Sequence, residues 1–145
     1  MNVKEIMTKN PTTCLPSTKL SEVAKLMADY SCGEIPVVKS KDDPELVGVI
    51  TDRDICCRAV AVGKNPTQVA ASEVMSSPVF TITADQDLAR SCKTFSDKEV
   101  RRLPVVDRKN HIIGILSLSD LVERAPEQFA REVLRNAGKG APATM

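Results

Sequence analysis

The chain states nearly the same sequence twice, and this repeat limits its fold more than any other feature. Residues 3–59 run from Val3–Met7 through Ile35-Pro36-Val37-Val38 to Gly48–Ile55. Residues 71–125 run from Ala71–Met75 through Leu103-Pro104-Val105-Val106 to Gly114–Leu121. Met7 and Met75, Thr13 and Thr81, Leu20 and Leu88, and Pro36 and Pro104 all match at a spacing of 68. Gly48 and Asp54 match Gly114 and Asp120 at 66, because the first copy is longer around Lys41–Glu45. A repeat of this size leaves an apolar face that must be covered by its twin. Two intertwined halves are therefore expected, with any small-molecule cleft present twice.

Hydrophobic periodicity gives each copy the order β-α-β-β-α. In the first, a lead-in at Val3–Met7 precedes a strand at Thr12–Leu15 and a helix from Lys19 to Tyr30 stopped by Gly33. Strands at Ile35–Lys39 and Leu46–Ile50 flank a polar loop, Ser40–Glu45, before a helix from Thr51 to Val62 that ends at Gly63. The second copy repeats this with a lead-in at Ser72–Met75, a strand at Val79–Thr83 and a helix from Asp87 to Lys98. Strands at Leu103–Asp107 and Ile112–Leu116 and a helix from Ser117 complete it. The expected division is repeat 1 at 3–62, a linker at 63–70, repeat 2 at 71–125, a C-terminal helix at 126–136 opened by Pro126, and a flexible tail at 137–145. The fold class is α/β, two such repeats related by a pseudo-two-fold axis with three strands per sheet.

Composition excludes more than it assigns. With 20 basic and 19 acidic residues, the net charge of +1 points to neither nucleic acid nor a membrane surface. No apolar run reaches membrane-spanning length and no signal pattern opens the chain, so a cytoplasmic protein is expected. Five cysteines without a C-x-x-C spacing read as free thiols serving as small core hydrophobes. A single His111, placed between two strands, leaves little for a metal site. No nucleophile–base set or phosphate loop is present, so no catalytic residue is assigned and the chain is expected not to be an enzyme.

The sharpest local pattern is a glycine, two apolar residues, a hydroxyl and an aspartate one turn on: Gly48, Thr51, Asp54 and Gly114, Ser117, Asp120. A hydroxyl at a helix start suits a phosphate, and the carboxylate suits the vicinal hydroxyls of a ribose. The glycines would let a ligand approach the strand. The same pattern also reads as a helix capping box that requires no ligand. A proline inside each central strand, Pro36 and Pro104, would interrupt the ladder where a planar base could dock.

Both motifs, in both copies and in the same order, make residues 3–125 resemble the CBS domain family, and the pair resembles the Bateman module of small stand-alone bacterial proteins. The resemblance implies a non-enzymatic sensor that needs no cofactor and binds an adenine nucleotide between the repeats: AMP first, with ADP, ATP, NAD and S-adenosylmethionine as related choices. It also implies a homodimer and an effector protein as partner. Carried onto this sequence, it implies one site of Thr81, Ile82, Arg101, Arg102, Leu103, Pro104, Ser117 and Asp120. The other comprises Thr13, Cys14, Ile35, Pro36, Thr51, Arg53 and Asp54. The aspartates would hold ribose, the hydroxyls phosphate, and the strand residues the adenine, without aromatic stacking.

The copies differ before the proline, where Arg101-Arg102 of the second stands against Gly33-Glu34 of the first. Arg101 and Arg102 read either as phosphate ligands or as solvated charges. As phosphate ligands they make the second site the better one for a phosphorylated adenosine, with Arg53 or Arg58 as compensation in the first. The alternatives are a structural dimerisation or interaction module with degenerate clefts, and a thiol sensor using Cys56-Cys57.

Overall fold

The computed structural model describes residues 1–77 and 79–140. In the first copy β1 (Thr8–Lys9), α1 (Leu20–Tyr30), β2 (Glu34–Ser40), β3 (Asp43–Thr51) and α2 (Asp52–Ile55) follow a 3-10 turn at Val3–Glu5. In the second, β4 (Ile82–Thr83), α3 (Leu88–Lys98), β5 (Arg102–Val106), β6 (Ile112–Ser117) and α4 (Leu118–Arg124) follow a turn at Ala71–Glu73. The last helix, α5 (Glu127–Gly140), extends beyond the 126–136 span expected, and residues 141–145 of the expected tail lie outside the described residues.

α1 buries Leu20, Val23 and Met27, and α3 buries Leu88, Cys92 and Phe95, the helical spacing read from the sequence. Gly33 does not stop α1. The chain leaves the helix through Ser31, whose φ of 51° is left-handed, and Cys32 N–H returns to the Met27 carbonyl at 3.1 Å. Glu99 does the same after α3. The helix expected from Thr51 to Val62 is α2 followed by a wider π-turn at Cys56–Val60, and Gly63, with φ 81°, ends that run. The polar loop at Ser40–Glu45 contracts to Lys41-Asp42, because Ser40 already pairs with Asp43 and β3 begins there.

The compact units of the chain are not the sequence repeats. One, here the Asp120 unit, comprises Met1–Lys9, Phe80–Asp107 and Ile113–Met145; the other, the Asp54 unit, comprises Asn10–Val79 and Arg108–Ile112. The Asp120 unit holds a four-stranded sheet in the order β1-β6-β5-β4. There β1 runs antiparallel to β6, with Thr8 opposite Ile115, and β4 runs parallel to β5. In the Asp54 unit the β2-β3 hairpin is flanked by single bridges, Ser76 to Val49 on one side and Cys14 to Val37 on the other. The expected three strands per sheet thus become four positions, because the lead-in of each copy supplies an edge to the sheet of the other. The strands expected at Thr12–Leu15 and Val79–Thr83 shrink to the Cys14 bridge and to β4.

Gly48 and Gly114 accommodate those lead-ins. A Cβ on Gly114 would lie 2.6 Å from Met7 Sδ and 2.9 Å from the Thr8 carbonyl; one on Gly48 would lie 2.6 Å from Met75 Sδ. Their small size is taken up by protein, which corrects the expected ligand approach. Each unit has its own core. Ile82, Leu88, Phe95, Leu103 and Leu116 centre one, against which α5 adds Ala130 and Val133; Leu20, Val23, Ile35, Val37 and Ile50 centre the other.

Candidate functional site

Thr51 and Ser117 end their strands in extended backbone and cap the helices that follow. Asp54 N–H donates to Thr51 Oγ1 at 3.1 Å, and Thr51 N–H donates to Asp54 Oδ2 at 3.0 Å. Asp120 N–H donates to Ser117 Oγ at 3.1 Å, and Ser117 N–H donates to Asp120 Oδ2 at 2.9 Å. The capping box is therefore formed in both copies. α2 spans four residues and α4 seven, too short for a helix dipole to supply an anion site.

The second carboxylate oxygen of each aspartate meets an arginine one turn on, and that of Asp120 meets the lead-in as well. Thr8 Oγ1 donates to Asp120 Oδ1 at 3.3 Å, and Arg124 lies 4.0 Å from the same oxygen while donating to the Ile6 carbonyl at 3.3 Å. Arg58 lies 3.8 Å from Asp54 Oδ1 and donates to the Val74 carbonyl at 3.1 Å and to Ser76 Oγ. Asp120 and Asp54 side chains are only 8% and 14% exposed, so these contacts satisfy charges that burial would otherwise penalise. Arg58 is held in this way against the lead-in. Arg124 is the residue sequence reasoning missed; its place in the repeat, opposite Arg58, was the available signal.

The remaining expected residues gather along the proline strands. Cys14 N–H donates to the Pro36 carbonyl at 3.0 Å, and Val38 N–H donates back to the Cys14 carbonyl at 2.9 Å. This places Thr13 and Cys14 beside Ile35 and Pro36. The pairing of Ile82 with Val105 likewise places Thr81 and Ile82 beside Leu103 and Pro104. β2 is continuous through Pro36, which pairs with Val49. The expected interruption is absent because the missing N–H faces the short Cys14 side of the strand rather than the β3 ladder.

The heads of these strands lie against the caps. Asp52 N–H donates to the Gly33 carbonyl at 3.0 Å, and Leu118 N–H donates to the Arg101 carbonyl at 3.1 Å. Glu34, 7% exposed, pairs in register with Thr51, while Arg102 is half-buried and Arg101 exposed. Arg53 is exposed. Each unit therefore brings its own expected residues to one end of its sheet. Cys14 and Cys92 are buried and Cys32 is half-buried, but Cys56 and Cys57 are exposed, which corrects the expectation that all five serve as core. They lie on the π-turn at Cys56–Val60, whose buried residue is Ala59.

The chain belongs to the CBS domain family: the family's sequence pattern matches residues 3–59 and 71–127. It is similar to an uncharacterized protein of Methanopyrus kandleri, 35% identical over 126 residues, covering 87% of this chain and 63% of that one, so the chain spans somewhat under two thirds of that relative. It is also similar to the CBS domain-containing protein YhcV of Bacillus subtilis, 35% identical over 136 residues, 93% of this chain and 94% of YhcV. Among solved structures, the CBS domain pair of MJ0100 in complex with 5′-methylthioadenosine and S-adenosyl-L-methionine superposes with a TM-score of 0.75 at 28% identity, covering 84% of this chain and 97% of that one. CBSX2 in complex with AMP shares the fold at TM-score 0.73 and 23% identity, over 86% of this chain and 95% of that one. Among the described residues, no helix is long and apolar enough to cross a membrane.

Proposed function

We propose that the protein is a non-enzymatic regulatory module that binds an adenosine-bearing ligand, AMP or a related nucleotide, and transmits its occupancy to an effector protein in the cytoplasm. One observation carries this reading. In each unit the capping hydroxyl and its aspartate, the head of the proline strand and the short parallel strand converge on one end of the sheet, twice over and in the same order. The MJ0100 pair, of related sequence, supports an adenosyl ligand for such an arrangement. Backbone groups and aliphatic side chains would read the base, and Asp54 and Asp120 would exchange their internal partners for ribose hydroxyls.

Thermal unfolding with AMP, ADP, ATP, NAD and S-adenosylmethionine tests the proposal. A ligand at about a hundred times its Kd adds roughly 2.7 kcal/mol to apparent stability, which corresponds to a rise of about 5–10 °C for a domain of this size. No rise with any of the five removes the reading. A second reading, an interaction module with degenerate clefts, has its own observation: both aspartates are already engaged, Asp120 by its cap and Thr8, and Asp54 by its cap and Arg58. Under either reading the proposed assembly is a closed homodimer, and light scattering showing a monomer at every concentration would contradict it.

A further inference from the structure

The helices of the two units are covered unequally. In the Asp120 unit α5 packs against both α3 and α4. It buries Ala130 and Val133, half-buries Phe129, and through Asn136 donates to Ser96 Oγ at 2.9 Å. Cys92, on the same side of α3 and within reach of the Glu132 charge, is fully buried, and Ser96 is half-buried. In the Asp54 unit α1 and α2 also pack against each other, but the positions that α5 covers in the twin are open. Ala24 matches Cys92 and Ala28 matches Ser96 at the repeat spacing of 68. Both alanines are exposed. The reason lies in the chain path: Gly63 stands where Phe129 stands, and there, at φ 81°, the first copy turns away instead of entering another helix.

The elements left open are apolar. Tyr30 on α1, and Val60 and Val62 on the run that continues α2, are each more than half exposed. Scattered surface valines need no explanation, but these stand on the two elements whose counterparts α5 spans. The charges beside the open positions also repeat, since Lys25 and Asp29 occupy the places of Lys93 and Asp97, and all four are exposed. Glu132 of α5 acts on Cys92, the residue next to Lys93. A helix of the α5 kind laid on α1 would therefore bring an acid towards Lys25. A second copy of α1 suits the surface less well. A two-fold contact that sets Ala24 of one copy on Ala28 of the other places their Lys25 side chains within one turn of each other, and like charges repel.

We infer that α1 and α2 of the Asp54 unit form the docking surface for an amphipathic helix of a partner protein, of the same kind as α5. That helix carries an aromatic and a small residue side by side, a β-branched residue one turn on, and an acid just before it, as Phe129, Ala130, Val133 and Glu132 do. The molecule already holds one such helix on the equivalent surface of its other unit, which defines the shape and charge that the open surface accepts. The inference takes from the proposed function only that an effector protein exists. It requires no nucleotide, so a failed ligand screen leaves it standing.

A fluorescein-labelled peptide of residues 126–140, the sequence of α5 itself, is the probe, and its anisotropy is followed on addition of the full chain. A single saturable binding event is expected. Ala24→Arg and Ala28→Glu, at exposed positions where the fold tolerates them, should each weaken it by roughly tenfold or more, because a charge is set against the apolar side of the helix. Phe129→Ser with Val133→Ser in the peptide should abolish binding. Three results overturn the inference. The first is a peptide that does not bind the unsubstituted chain. The second is binding that Ala24→Arg and Ala28→Glu leave unchanged, which would put the peptide on α3 and α4 in place of α5. The third comes from light scattering without peptide: if Ala28→Glu converts a homodimer into a monomer, the surface belongs to a second copy and not to a partner's helix.

Discussion

Met7 Sδ sits where a side chain on Gly114 would begin: a Cβ built there lies 2.6 Å from the sulfur and 2.9 Å from the Thr8 carbonyl. The same relation joins Met75 to Gly48, but there the nearest backbone atom, the Ser76 carbonyl, is 3.2 Å away. A thioether can swing aside, whereas a carbonyl held in a ladder cannot. Gly114→Ala is therefore expected to destabilise by about 1–3 kcal/mol, as overpacking does, and Gly48→Ala by less. Urea denaturation of the two variants measures the difference, and equal losses would contradict the argument.

Asp120 supports more of its unit than Asp54 does, being the more buried and accepting from Thr8 as well as from Ser117. Asp120→Ala should cost about 2 kcal/mol, combining a lost cap with buried donors left unpaired. Asp54→Ala should cost about 1 kcal/mol. Chemical denaturation in the absence of any nucleotide isolates this structural part. Ligand binding by these variants is interpretable only where they remain folded.

Stability should fall with alkaline pH, in a manner traceable to two thiols. Burial and then the nearby charge of Glu22 raise Cys14 from 9.0 to about 12; burial, then Glu132 and Asp87, raise Cys92 to about 11. Both stay protonated in the native state at a pH where the unfolded chain has already released the proton. The native state then binds more protons, so stability decreases as pH rises. Their contribution is complete below about pH 9 and is lost progressively towards pH 11–12. Equilibrium unfolding at pH 8 and pH 10.5 should show the decline, and Cys14→Ala should flatten it. In native protein a chromogenic thiol reagent should modify Cys56 and Cys57 quickly and leave Cys14 and Cys92 until unfolding.

The amphipathic helices, the paired central strands and the capping residues were legible because each depends on local spacing. Leu20, Val23 and Met27 announce α1 without reference to anything distant. The role of Gly114 was not legible in this way. Its neighbour Met7 is remote in sequence, so a close-packing glycine looked like one left open for a ligand. Ser31 was missed as the end of α1 for a different reason: a left-handed residue was expected to be glycine, and Gly33 was nearby. For the candidate site, the sequence identified which residues gather and the capping box, but not the partners of the remaining carboxylate oxygen of Asp54 and Asp120. Arg58 and Arg124 lie one turn beyond their aspartates and were within reach of a local reading; Thr8 meets Asp120 only through the exchange of lead-ins.

A chain ending at residue 65 should not fold. It would retain β1 without β6, and β3 without Ser76, leaving the edges of both sheets unpaired. Circular dichroism of this fragment should show no cooperative thermal transition. A cooperative monomeric transition would mean that the lead-in exchange is dispensable.

The exchange also sets an order in time. Thr8 finds its carboxylate partner 112 residues further along the chain, and Arg124 reaches back 118 residues to the Ile6 carbonyl. During synthesis β1 emerges before β6, so Thr8 and Lys9 have no strand to pair with until β6 has left the ribosome. Contacts of such long range are slow to form. β1 is thus made well before it can be placed, and until β6 follows, the nascent chain carries a strand whose ladder partner does not yet exist.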